Sequence, residues 1–146
     1  MTIAPECVSP THLKALSEAG ILLFAGHSEA TNSDMGTAFE AGVAGVTHLF
    51  NAMSGFHHRA PGMVGAALAH AQYAELIPDL LHVHPGAIRA ALRAVPRLFC
   101  VTDSTAASGM PDGEYRLGRH TVTKCLGGVR LPDGTLAGSA LTMDQE

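Results

Sequence analysis

His27, His48 and Asp103 are the residues best suited to chemistry: two imidazoles and a carboxylate, each just after a short apolar run. Glu6 and His82 fall in the same register. The intervals from Glu6 to His27, His27 to His48 and His82 to Asp103 are all 21 residues. That is about the length of one β-α repeat with short loops. Imidazoles on neighbouring strands, about 4.8 Å apart, can share one ion, and neutral imidazole suits zinc and similar divalent metals. His27 by itself reads as a capping or core histidine; the repeat of its placement at His48 favours metal ligation. Asp103 by itself reads as a helix cap or dipole partner. Beside a metal it serves as general base toward a bound water and then as general acid. Arg59, in a loop framed by Gly55 and Pro61-Gly62, is either a solvated charge or a phosphate clamp.

The elements that must position these groups alternate. Ser9 as cap, Pro10 at the first helical position and Gly20 as stop predict a helix over Pro10 to Ala19. A second runs from Ser33 to Ala41, closed by Gly42, and a third from Pro85 to Ala94, ended by Pro96. Apolar runs predict strands at Ile21 to Ala25, Val43 to Leu49, Leu76 to Val83 and Leu98 to Thr102. Strand-helix alternation argues for a parallel sheet covered by helices. Titratable groups at successive strand ends match the active face of a (β/α)₈ TIM-type barrel. An open doubly wound sheet also gathers such groups at one edge, but more often with a Gly-rich phosphate loop, and none is present. From Gly113 the helical period vanishes and glycines multiply, with a turn signal at Asp133-Gly134.

The 146 residues fit one domain, nearly half of them apolar. A net charge of −4, no basic cluster and no Trp argue against nucleic acid and anionic membranes as partners. No apolar run is long enough to span a bilayer, and no signal-peptide core follows Met1. Cys7, Cys100 and Cys125 lack metal-type spacing. They read as reduced thiols of a cytoplasmic chain, with Cys100 in a strand core. A barrel needs about 250 residues, so the chain reads as part of one.

Seven segments, in order, resemble the N-acetylglucosamine-6-phosphate deacetylase family of the amidohydrolase superfamily. They are Thr2-Ile3-Ala4-Pro5-Glu6; Ala25-Gly26-His27-Ser28 with Ala30-Thr31; Thr47-His48-Leu49-Phe50-Asn51-Ala52-Met53; Arg59-Ala60-Pro61-Gly62; His82-Val83-His84-Pro85; Val101-Thr102-Asp103; and Leu136-Ala137-Gly138-Ser139 with Leu141-Thr142-Met143. The resemblance implies barrel strands four to eight. Residues 1–112 are then the C-terminal part of the barrel, 113–140 a β-hairpin insertion and 141–146 the start of a further helix.

The resemblance also implies roles. His27 and His48 are metal ligands, zinc first among candidates, with a glutamate ligand upstream of this chain. Glu6 matches an Ala-Pro-Glu segment that is not that ligand. Asp103 is the catalytic acid/base. Asn51, Ala52, His82, Leu136, Ala137 and Gly138 contact substrate, and Arg59 binds the sugar phosphate, often in a neighbouring subunit's site of a homodimer. The implied substrate is a phosphorylated amino sugar, deacetylated to glucosamine 6-phosphate and acetate. Pro78 and Leu80 depart from the family's Ala-Asp-Gly-x-His pattern, and a Leu where the backbone calls for Gly alters that turn. Two other readings stand beside this one: a non-catalytic half-barrel, and an amidohydrolase for another amide.

Overall fold

The computed structural model describes residues 1–145 and divides the chain into two compact units. The first takes Met1–Leu76 and Pro85–Phe99; the second takes Ile77–His84 and the chain from Cys100 onward.

In the first unit, β1 (Thr2–Ile3), β2 (Leu23–Ala25), β3 (Val43–Val46), β4 (Tyr73–Leu76) and β5 (Arg97–Cys100) form one sheet in chain order. Strands β1 to β4 run parallel. Helices α1 (Pro10–Glu18), α2 (Asn32–Glu40), α3 (Gly62–His70) and α4 (Pro85–Ala94) make the crossovers. Ser9 caps α1 by accepting the His12 N–H, and Thr31 with Asp34 closes a reciprocal capping box on α2. Gly20 and Gly42 leave their helices at φ +82° and +102°, a region costly for any side chain. Leu13, Leu23, Met35, Val46, Leu49 and Met63 form the centre of the core, essentially sealed from solvent. Gly45 is required by the close approach of the Tyr73 carbonyl, which a Cβ would strike.

The sequence patterns locate α1, α2 and α4 to within a residue or so. Helix α3 was not foreseen: Met63 through Ala67 are all buried, so no polar stripe marks its period. The strand expected over Leu76 to Val83 lies earlier, at Tyr73–Leu76. Pro78 has no N–H to offer a ladder, and the Asp79 side chain takes the N–H groups of Leu81 and His82. Strand β3 stops at Val46 rather than Leu49 because His48 and Phe50 turn to φ +32° and +81°. Cys100 ends β5 and is exposed, not in a core.

In the second unit β6 (Gly113–Leu117), β7 (His120–Cys125), β8 (Gly128–Arg130) and β9 (Leu136–Ser139) form an antiparallel sheet in chain order. Its core is small: Ala107, Val122, Val129 and Ala140. The Asp133-Gly134 turn has Gly134 at φ +87°. Of the helix expected from residue 141, Met143–Gln145 forms one 3-10 turn, and Glu146 lies outside the described residues. No helix among the described residues is long and apolar enough to cross a membrane.

Candidate active site

His27 and His48 lie two residues past the ends of β2 and β3. Their rings meet edge to face, with Nε2 to Nε2 only 2.8 Å apart. His48 is buried at 4 % exposure, and its Nδ1 has no hydrogen-bond partner. Two imidazole nitrogens converging on one point suit a zinc-type ion. Across a tetrahedral zinc the two nitrogens need a separation of about 3.3 Å, so a small spreading of the rings admits one. Metal-binding histidines usually donate the second ring N–H to a carbonyl or carboxylate, and among the described residues the Nδ1 of His48 finds no such acceptor. The convergence of the two Nε2 atoms, rather than the second ring nitrogen, fits part of a metal site. Among the described residues no group of three or more His, Cys, Asp or Glu converges.

The approach of the two rings depends on close-packed backbone. A Cβ on Gly26 would sit 2.9 Å from the Thr47 Cβ, so the strands can approach just before the histidines only with glycine there. Ser28 then ties the loops together. Its N–H donates to the Ala52 carbonyl, and its carbonyl accepts from Ser54. Its hydroxyl donates to Glu6 Oε2 at 2.6 Å and accepts from the Ala30 N–H. The other Glu6 oxygen accepts the Glu29 N–H. Glu6 thus braces the loop that follows His27. Sequence reasoning missed Ser28 and Ser54 because serine is ordinary in loops and carries no spacing signal.

Asn51 and Ala52 sit on the turn after His48, where Asn51 N–H and Nδ2 both reach the His48 carbonyl. Arg59 is exposed in the loop before α3, and its guanidinium donates to His58 Nε2 at 2.6 Å. These five predicted residues all belong to the first unit. The second unit holds the rest. The Asp103 carbonyl accepts the Ser139 N–H at 3.0 Å, so Asp103 lies beside the Leu136-Ala137-Gly138 strand. Gly138 sits at φ +106°, where a Cβ would press on Thr105. His82 lies six residues past β4, so the even spacing from His82 to Asp103 does not reflect two strand ends. Its Nδ1 lies 2.6 Å from Asp79 Oδ2.

Strain concentrates on these positions. Seven non-glycine residues have positive φ, and four of them are predicted site residues: His27, His48, Ala52 and Asp103. Backbone held in a sparsely populated region is a recurrent property of functional sites. Two convergent imidazoles can bind a divalent ion.

No family profile matches the chain. Individual proteins do. It is 45 % identical over 151 residues to an N-acetylglucosamine-6-phosphate deacetylase of Lysinibacillus sphaericus, and 42 % identical over 147 residues to an N-acetylgalactosamine-6-phosphate deacetylase of Escherichia coli. The crystal structure of N-acetylglucosamine-6-phosphate deacetylase from Pasteurella multocida superposes with a TM-score of 0.92 at 38 % identity, covering 97 % of this chain and 38 % of that one. A mutant enzyme from Mycobacterium smegmatis, in complex with N-acetyl-D-glucosamine-6-phosphate, gives 0.91 at 39 % identity, covering 99 % and 39 %. The match to the two curated relatives takes in 99 % of this chain but only 38 % and 39 % of theirs. The resemblance read from the motifs is thereby borne out: over nearly its whole length this α/β chain corresponds to a partial stretch of the N-acetylglucosamine-6-phosphate deacetylases.

Proposed function

We propose that this chain is the strand-four-to-strand-eight part of a (β/α)₈ barrel hydrolase that converts N-acetylglucosamine 6-phosphate to glucosamine 6-phosphate and acetate. The convergence of His27 and His48 Nε2 atoms carries the reading. The unreversed order β1 to β5 supports a barrel segment, since a doubly wound sheet reverses its order at the site. Residues 1–112 then belong to the barrel, 113–140 to an insertion and 141–146 to a following helix.

His27 and His48 hold the divalent ion, with a glutamate ligand supplied from outside this chain. A bound ion of this kind lowers the pKa of water toward ~7. Asp103 accepts a proton from the attacking water and returns it to the departing amine. Asn51, Ala52, His82 and the Leu136-Ala137-Gly138 strand contact the sugar. Arg59 clamps the phosphate, across a homodimer interface of a cytoplasmic enzyme.

Two observations keep other readings in play. The relative named for N-acetylgalactosamine 6-phosphate makes that epimer a competing substrate. The lack of a third convergent ligand among the described residues favours a chain that is inactive alone, because catalytic zinc takes three protein ligands. The purified chain, loaded with zinc, is assayed for acetate release from both sugar phosphates. Release that falls roughly 10²- to 10⁴-fold in Asp103→Asn supports the catalytic reading. Release untouched by that change removes Asp103 from the mechanism, and zinc binding without release assigns the chain to the inactive reading.

A further inference from the structure

Asp79 and His82 sit three residues apart with side chains only 5 % and 6 % exposed. One carboxylate oxygen of Asp79, Oδ1, accepts the N–H groups of Leu81 at 2.9 Å and His82 at 2.8 Å. The other, Oδ2, lies 2.6 Å from His82 Nδ1. Both oxygens are thus committed, and the carboxylate is anchored by backbone that cannot rotate away. An ionised carboxylate only accepts. The hydrogen of that short contact therefore resides on Nδ1, and a neutral imidazole then has a bare Nε2.

We propose that Asp79 is a positioning residue that locks His82 in the Nδ1–H tautomer, so that His82 presents Nε2 to its ligand as a hydrogen-bond acceptor. An acceptor at that place selects a hydrogen-bond donor, a hydroxyl or an amide N–H. It does not polarise a carbonyl, and it repels phosphate and carboxylate oxygens. Resting on the reading of a sugar phosphate as substrate, the group met by Nε2 is a ring hydroxyl or the acetamido N–H rather than the N-acetyl oxygen or the phosphate. Asp79 also borders a cavity of about 480 Å³ formed with Leu80, Leu81, Lys124 and Leu141.

The variant Asp79→Asn tests this with little change of shape. The Asn oxygen keeps the two backbone N–H groups, and its amide then donates to Nδ1, which forces the hydrogen onto Nε2. Replacing an orienting carboxylate by an amide inverts an imidazole in this way. The ring nitrogens of His82 are read by ¹⁵N NMR on the whole chain, at a pH where imidazoles are neutral. The expected result is a protonated Nδ1 and bare Nε2 in the wild type, with the two exchanged in Asp79→Asn and the fold unchanged by circular dichroism. A wild-type Nε2 that carries hydrogen, alone or with Nδ1, overturns the tautomer assignment. So does a spectrum that Asp79→Asn leaves unaltered.

The ligand half is read separately, by titrating N-acetylglucosamine 6-phosphate into both forms. Loss of one matched hydrogen bond predicts binding about tenfold weaker in Asp79→Asn. Equal affinity overturns the donor assignment. Absence of binding to the wild type overturns that assignment together with the sugar-phosphate reading, while the NMR result stands on its own.

Discussion

In the parallel-sheet unit, His27 and His48 ride on short turns cross-tied by main-chain hydrogen bonds through Ser28, Ala52 and Ser54, above a core built from Leu13, Leu23, Met35, Val46, Leu49 and Met63. In the second unit, His82 is held by one carboxylate, and the apolar core reduces to Ala107, Val122, Val129 and Ala140. The first arrangement places its imidazoles by packing and main-chain ties, which resist displacement in every direction. The second places them by directed hydrogen bonds, which fix orientation and tautomer more than position. Local stability follows buried apolar contact, so the second unit is expected to open first while the imidazole pair stays in place.

The largest effect expected is in the packed core. Met35→Ala removes a fully buried side chain and costs about 2–5 kcal/mol. Thermal unfolding followed by hydrogen exchange should show the loss in the parallel-sheet amides. An equal loss of protection over residues 113–139 would show that the chain melts as one block.

Next comes the tie behind the histidines. Ser28→Ala deletes the donor to Glu6 and strips the buried Ala30 N–H of its acceptor. The cost is about 1–3 kcal/mol, measured by urea denaturation. A smaller effect than that of an exposed helix-surface serine such as Ser33→Ala would show that the loops are held by packing alone.

Leu80 supplies a gain rather than a loss. It sits at φ +61° and is 61 % exposed, inside the Asp79 turn. A non-glycine residue there costs roughly 1–2 kcal/mol, partly offset by the ~0.4–1 kcal/mol of unfolded-state freedom that glycine adds. Leu80→Gly is therefore expected to stabilise the second unit by about 0.5–1 kcal/mol. A drop in its melting temperature would mean that the leucine makes contacts worth more than its backbone strain.

The smallest effect concerns pH. Asp34 is held below the ordinary carboxylate value of 3.8, first by the Thr31 hydroxyl and then by the Thr31 N–H. A lowered folded value means that the contribution is full above the unfolded value and fades as pH falls through the folded one. The first-turn amides of α2 should therefore lose protection only below about pH 4. The same acid dependence in Asp34→Asn would remove this carboxylate as its cause.

Much of this was legible because it is local. Ser9-Pro10 and Gly20 frame α1, and Pro85 opens α4, through backbone preferences that act within a few residues. The 21-residue step from His27 to His48 was also legible, since a β-α repeat converts spacing into adjacency on neighbouring strands. The step from His82 to Asp103 has the same length and a different cause, because Pro78 and the Asp79 turn displace β4 to Tyr73–Leu76. Helix α3 left no periodic signal because every face of its first half is buried.

The sequence by itself determined the donor set and its order along the chain: two imidazoles one repeat apart, a carboxylate after the last apolar run, and an arginine in a Gly/Pro-framed loop. Those properties reside in residue type and spacing. Only the tertiary structure decided that the two Nε2 atoms meet at 2.8 Å, that Glu6 braces Ser28, and that Asp79 claims Nδ1 of His82. Each depends on the direction of a side chain at a strained backbone position or on a partner more than 20 residues away or across a turn. Direction is set by packing and hydrogen-bond closure, which no local pattern encodes.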